Sequence, residues 1–239
     1  MGGGSFLRAR SPLTLTRQSR IARSMIIAID GTLASGKGTI ARRLSAWYGL
    51  AHMDTGRLYR ATGVAALNKN VDFDDPDALA DVARTLDLND YSEEELRTAE
   101  AGQAASKVAA VPDVRAALLE LQRAFANQAG GAVLDGRDIG TVVCPEADVK
   151  LWVDASVEVR ATRRWKELTE KGETLSLQEM IAQLKERDDR DKNRADAPMI
   201  AAADSVLIDT THLTIDAAVD KARAAVDTVI AQTSERSEP

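Results

Sequence analysis

Met25-Ile26-Ile27-Ala28-Ile29-Asp30-Gly31-Thr32-Leu33-Ala34-Ser35-Gly36-Lys37-Gly38-Thr39 is the stretch whose reading decides the fold. Its first six residues form a short apolar run, the pattern of a strand buried on both faces of a parallel sheet. Gly31 to Thr39 then fits G-x-x-x-x-G-K, and a helical pattern continues to about Tyr48. Strand, glycine-rich loop, helix is the order a phosphate site requires. The glycines let the backbone wrap closely, its N–H groups turn inward to phosphate oxygens, and the helix N-terminus adds about half a positive charge. Lys37 supplies a mobile charge for the outer phosphates. Gly38 stands where the general motif has Ser or Thr. The Thr39 hydroxyl sits one helical residue further round, so it is not assumed to be a Mg²⁺ ligand.

Working outward, Ala51-His52-Met53 reads as a second short strand, with Asp54 as N-cap of a helix reaching about Asn68. Residues 69–112 are the least regular part, with acidic stretches from Asp72 to Asp77 and from Asp87 to Glu95. A helix from Asp113 to about Asn127 carries Val114, Leu118, Leu121 and Phe125 at helical spacing. Three more apolar runs, 132–135, 149–153 and 205–208, read as strands. A closing helix has a stripe of Ile215, Val219, Ala222, Val226 and Val229. Short buried strands alternating with amphipathic helices predict an α/β parallel sheet.

Composition agrees with one domain carrying an insertion. The 239 residues are 44% hydrophobic and only 4% aromatic, so the core is built from Ala, Leu, Val and Ile. A net charge of −6 argues against general nucleic-acid binding, which needs a basic face. Cys144 stands alone, which excludes an intrachain disulfide, and His52 and His212 are too few for a histidine-rich metal site. No apolar run approaches the ~20 residues of a membrane span, and the expected setting is the cytoplasm. Residues 1–24 hold Arg8, Arg10, Arg17, Arg20 and Arg23 without an acid. They read as a disordered basic tail, with Met25 beginning the fold.

Three further constellations carry chemistry. Asp54-Thr55-Gly56-Arg57-Leu58-Tyr59-Arg60 places a hydroxyl and arginines where a strand meets a helix. Leu134-Asp135-Gly136-Arg137-Asp138 lies at the carboxyl end of a strand, where ligands of open α/β sheets sit. There Asp135 can hold a metal through water, and Arg137 and Asp138 offer a fork donor and an acceptor, or simply pair to lock a turn. Ser176-Leu177-Gln178-Glu179 has the capping-box pattern. The helix it opens has a stripe of Leu177, Ile181 and Leu184 that continues into Arg187, Asp188 and Asp191. Arg187, Arg190 and Arg194 fall three and four apart and can converge on one anion, as a phosphate-clamping lid would. Asn68-Lys69-Asn70-Val71-Asp72 misses the guanine-reading N-K-x-D pattern by one residue and reads as a polar surface turn. Cys144 reads as a small strand-end residue and His52 as a local packing residue.

Taken together, GTLASGKGT, DTGRLYR, DGRDIGTVV and ERDDRDKNR, in this order and spacing, resemble the bacterial cytidylate kinases, over about Met25 to Ala231. The resemblance implies a P-loop NTPase-type three-layer fold: a five-stranded parallel sheet with flanking helices, a monophosphate-binding insertion at about 55–129, and a short lid at about 187–198. It implies that Gly31, Thr32, Leu33, Ala34, Ser35, Gly36, Lys37, Gly38 and Thr39 hold ATP with Mg²⁺. It places CMP or dCMP against Thr55, Arg60, Ser106, Arg115, Arg137, Asp138, Arg187 and Arg194. Lys37, Arg187 and Arg194 are the expected catalytic residues, in a monomer without nucleic-acid or membrane partners. Two departures stand out. The stretch between Leu88 and Gln103 is shorter than the β-containing insertion of longer family members. Arg57 replaces a usually small residue and is expected to add a cation near the acceptor phosphate. The rival readings are an adenylate- or shikimate-type kinase and a nucleotide-binding regulatory module without turnover.

Overall fold

The computed structural model describes residues 25–236, so the basic segment 1–24 lies outside the described residues. Five parallel strands, β1 (Ile26–Gly31), β2 (Ala51–Asp54), β3 (Ala132–Gly136), β4 (Val149–Asp154) and β5 (Val206–Asp209), run in the order β2-β3-β1-β4-β5. The central place of β1 explains its unbroken apolar run. Ile27 and Ile29 face one helical layer and Ala28 faces the other, all fully buried. The first layer holds α1 (Lys37–Tyr48) and α8 (Ile215–Arg236), whose Ile40, Leu44, Ala222 and Val226 cover the sheet. On the opposite face Leu134 packs with Ala126, at the end of α5 (Pro112–Ala126), and with Ile139 and Val143 of a π-helical turn, Ile139–Val143.

The register brings Asp30, Asp54 and Asp135 to the same end of the sheet. Asp30 is level with Gly136, and Asp54 with Asp135. This is the carboxyl edge, where loops rather than side chains must finish the strands and where a ligand finds room. Two helical arms stand over it. One comprises α2 (Thr55–Asn68), α3 (Pro76–Arg84), α4 (Ala99–Val108) and the start of α5, held by Leu58, Leu79, Val108, Val114 and Leu118. The other is the hairpin of α6 (Val157–Glu170) and α7 (Leu177–Asn193), closed by Ala161, Leu168, Met180 and Leu184.

Several expectations shift. Residues 69–112, expected to be irregular, contain α3 and α4. The Ala-rich α4 buries Ala101, Ala104, Ala105 and Val108, side chains too small to announce a stripe. Thr98 and Asp75 cap these helices by accepting from the Ala101 and Ala78 N–H groups. In α8 the buried stripe is rotated. Ala218, Ala222, Val226 and Ile230 face the sheet, whereas Ile215 is 60% exposed in the first turn. Cys144 is buried after the π-helical turn, not at a strand end. In α7 the most buried positions are Met180, Leu184, Asp188 and Asp191, one position off the Leu177–Ile181 line. The capping box at Ser176 and Glu179 is present, and Asn68–Asn70 form the expected exposed turn.

Candidate active site

The glycine-rich loop closes over the carboxyl end of β1. A β-carbon on Gly31 would stand 1.9 Å from the Val153 carbonyl oxygen, so only glycine permits β1 to leave the sheet here. Ala34 is held at φ 61, a left-handed conformation uncommon outside glycine, which turns the loop back on itself. Thr32 donates its hydroxyl to Asp154 Oδ1 at 2.6 Å, and Ser35 donates to the Thr32 carbonyl at 2.9 Å. These two side chains, with Gly31, brace the loop from behind. Leu33, Ala34, Gly36, Lys37, Gly38 and Thr39 line the cleft itself.

Lys37 is buried, its Nζ 3.3 Å from the Thr32 carbonyl. Burial, reinforced by the charges of Arg137 and Arg187, pushes its amino group down to about 7. Arg187 is likewise pushed down to about 10, by burial first, with Arg137, Arg60 and Arg164 adding repulsion and Asp191 opposing it. Arg60 Nε, Arg115 Nη1 and Arg187 Nε have no hydrogen-bond partner although buried. The cleft they line measures about 1270 Å³, counting space open to solvent at its mouth. It runs from the 31–39 loop to Ser106 and Arg115.

The expected substrate residues Thr55, Arg60, Ser106, Arg115, Arg137, Asp138, Arg187 and Arg194 all line this one cleft. Asp138 is its acidic pivot. Arg115 Nη2 and Arg194 Nη2 both donate to it, the latter at 3.1 Å, while Arg115 Nε reaches Asp196 at 3.2 Å. The turn-locking Arg137–Asp138 pair does not form. Arg137 instead donates to Asp191 at 3.2 Å, because the α7 carboxylate comes within reach across the cleft. Thr55 spends its hydroxyl on the Asp135 carbonyl at 2.8 Å.

Other details of the local reading change. Asp54 occupies the N-cap position of α2 without capping it, its carboxylate being held by Arg60 at 2.7 Å. Arg57 faces Glu93, 2.8 Å away, and does not line the cleft, so it adds no cation near the acceptor position. Arg190 also leaves the expected cluster. It lines a smaller neighbouring cavity, donating to Ser106 and Glu186. His52 is more than packing, since its Nε2 lies 2.8 Å from Asp135 Oδ2.

Asp135 Oδ1 remains on the side of the loop. A β-carbon on Gly38 would stand 3.8 Å from it. Among the described residues no group of three or more His, Cys, Asp or Glu gathers around a metal position. One buried carboxylate beside the phosphate loop fits Mg²⁺ held mainly by phosphate oxygens and water, with Asp135 as an outer partner.

Sequence reasoning missed Asp30 and Arg160, and assigned no partner to Asp188 and Asp191. Asp30 accepts from the Ile139 and Gly140 N–H groups at 2.7 Å each, and its carboxyl is raised to about 6, burial outweighing those two bonds. Arg160 clamps Asp188 at 2.7 Å and fixes α7 against α6. The signal for Asp188 and Asp191 was present, as charges on the inward face of an amphipathic helix.

With this geometry in view, the comparisons with known proteins are decisive. The family described as Cytidylate kinase matches residues 27–228. The chain belongs to the cytidylate kinase family. A cytidylate kinase of Cereibacter sphaeroides is 57% identical over 201 residues, covering 84% of this chain and 94% of the relative. One from a Caulobacter species is 53% identical over 209 residues, covering 87% and 97%. A crystal structure of an uncharacterized protein from Eubacterium ventriosum shares the fold, with TM-score 0.51 and 15% identity over 86% of this chain and 99% of that one. All four cytidylate kinase-like motifs of the chain lie inside the matched segment, and each contributes at least one residue to the cleft.

Proposed function

We propose that this cytidylate kinase family member transfers the terminal phosphoryl group of ATP to CMP or dCMP, giving ADP and CDP or dCDP. The observation that carries the reading is the crowd of cations in the cleft. Burial, with the charges of Arg137 and Arg187 beside Lys37 and of Arg137 and Arg60 beside Arg187, depresses the protonation of Lys37 and Arg187, and three arginines there keep unpartnered N–H groups. Such a group is destabilised alone and stabilised by a multiply charged anion.

Phosphoryl transfer demands alignment and charge neutralisation more than covalent work by the protein. Lys37 and the amides of the 31–39 loop hold the donor phosphates. Arg60 and Arg137 hold the acceptor phosphate, so that its oxygen attacks the terminal phosphorus as the bond to the ADP oxygen breaks. Arg187 and Arg194 close over the migrating group, as the lid of about 187–198. Asp135 would hold Mg²⁺ through water, and the ion would supply neutralisation of phosphate charge there. The arm of α2 to α5, within the insertion 55–129, carries the monophosphate. There Asp138 accepts from the cytosine amine while Ser106 and Arg115 fix the ring. The enzyme acts as a cytoplasmic monomer on free nucleotides; no helix among the described residues is long and apolar enough to cross a membrane.

A coupled assay offering ATP with CMP, dCMP, UMP, AMP and shikimate in turn tests the reading. CMP and dCMP are expected to lead. Preference for AMP or shikimate would overturn the substrate, and nucleotide binding without turnover on any acceptor would overturn the reaction.

A further inference from the structure

Two arginines of α7, three residues apart, grip two residues of α4, one turn apart. Arg187 Nη1 donates to the Gly102 carbonyl at 2.9 Å, and Arg190 Nη1 donates to Ser106 Oγ at 2.8 Å. Ser106 is 2% exposed and stands in the wall between the nucleotide cleft and the smaller cavity behind it. Arg190 lines only the rear cavity and does not reach the cleft. Of its hydrogen bonds, to Ser106 and to Glu186, only the one to the serine reaches a residue of the cleft.

This arrangement decides which way the serine hydroxyl points. A hydroxyl carries one proton and two acceptor lone pairs, and the proton takes one of three staggered positions. The guanidinium closes one of them by donating into it. A second would back-bond to the carbonyl one turn earlier, as Thr62, Thr162 and Thr169 do in their helices. For Ser106 that carbonyl is Gly102, already engaged by Arg187, and Ser106 makes no such bond. Ser106 also lines the cleft, and the remaining position is assigned to that side. A cationic donor on the oxygen also polarises the O–H bond, strengthening it as a donor and weakening the oxygen as an acceptor.

We infer that Arg190 is a positioning residue for base choice: acting through Ser106, it makes that hydroxyl a hydrogen-bond donor toward the pyrimidine ring. Cytosine presents an acceptor at its ring nitrogen beside the amine. Uracil presents an N–H there, which would meet the serine proton head-on. Asp138 reads the exocyclic group as an acceptor and Ser106 reads the ring nitrogen as a donor, a pair of opposite polarity that cytosine alone satisfies. The inference rests on the placement of Ser106 against the base proposed above.

The test compares kcat/KM for CMP and UMP in the wild type, Arg190→Ala, Arg190→Lys, Ser106→Ala and the double variant, with melting temperature measured on each. Arg190→Ala frees the hydroxyl to turn an acceptor lone pair to the ring. The CMP-to-UMP ratio is expected to fall about tenfold, the scale of one misdirected hydrogen bond in a buried site. Arg190→Lys retains a cationic donor and keeps most of the ratio, and Arg190→Ala adds nothing once Ser106 is Ala. Equal losses on both substrates in Arg190→Ala, with a ratio change still present in Ser106→Ala, would overturn the role of Arg190 alone and leave a simple brace between helices. An unchanged ratio in Ser106→Ala would overturn both this inference and the placement of Ser106 against the base.

Discussion

Gly63→Ala is a perturbation for which local propensity and tertiary structure give opposite signs. Gly63 lies in the interior of α2, where exchange of glycine for alanine ordinarily gains roughly 0.5–1 kcal/mol. Here α4 crosses directly over it. A β-carbon would stand 2.7 Å from Ala104 Cβ and 2.9 Å from both the Ala104 carbonyl carbon and the Ala105 nitrogen. Two of those atoms are backbone and cannot rotate aside, so α4 must retreat by on the order of 1 Å to regain a contact of about 3.5 Å. Overpacking of this kind costs typically 1–3 kcal/mol. Set against the helix gain, the net loss is about 1–2 kcal/mol, a fall in Tm of roughly 2–8 °C for a chain of this size. Ser106 rides on α4 two residues beyond the contact, so the functional effect falls on the acceptor. A shift of about 1 Å in a positioning element can cost up to 10²-fold. Thermal unfolding, kcat/KM for CMP and ATP affinity measured alone give the three readouts. Lower Tm, much lower kcat/KM for CMP and intact ATP binding are expected. A raised Tm with unaltered CMP kinetics would refute the reasoning, because it would mean the helices separate freely.

Lys37→Met is expected to lower turnover by roughly 10²–10³ while the protein stays folded, the usual loss for a preorganised donor; near-normal turnover would remove Lys37 from the donor site. The same lysine predicts a proton linkage. Its amino group in the empty cleft sits at about 7, and an arriving polyphosphate raises it, so ATP binding at pH 8 should take up about one proton and at pH 6 almost none. Calorimetry in buffers of differing ionisation enthalpy measures this, and the pH 8 uptake must vanish in Lys37→Met. Arg187→Ala should depress turnover far more than ATP affinity, since the side chain acts on closure; equal losses would put it in the resting ATP site. Asp138→Ala should reduce kcat/KM for CMP much more than for UMP, and an unchanged ratio would take Asp138 out of base recognition.

The elements most legible in the sequence are those whose information is local. The two-face burial of Ile27, Ala28 and Ile29, the glycine spacing of the loop and the Ser176 capping box each stand within a dozen residues of chain. What stayed hidden depends on partners far away in sequence. Asp191 turns inward because Arg137, 54 residues earlier, awaits it, and Asp188 because of Arg160, 28 residues earlier. The charged end of the α7 stripe marks both positions, but no periodicity announces their partners. Arg57 was misplaced for the same reason, its direction being set by Glu93. The Ala-rich α4 escaped notice because its small side chains serve close approach to α2, which leaves no hydrophobic stripe to find. Motif comparison nevertheless picked out eight residues that stand as neighbours, since all of them line one cleft.

The Asp30 carboxylate has a mechanical consequence. Its backbone runs straight into the 31–39 loop, while its two oxygens grip the turn immediately after Asp138. The 31–39 loop and the turn after Asp138, proposed as donor cradle and acceptor floor, are therefore riveted into a single anvil, and neither half can slide without shearing two buried bonds. Any hinge that brings the reacting groups together must lie above that anvil, in the jaws formed by α4 and by the α6–α7 hairpin. Transplanting a new acceptor specificity onto this scaffold is thus a task for the jaws, where a change of shape leaves the anvil true.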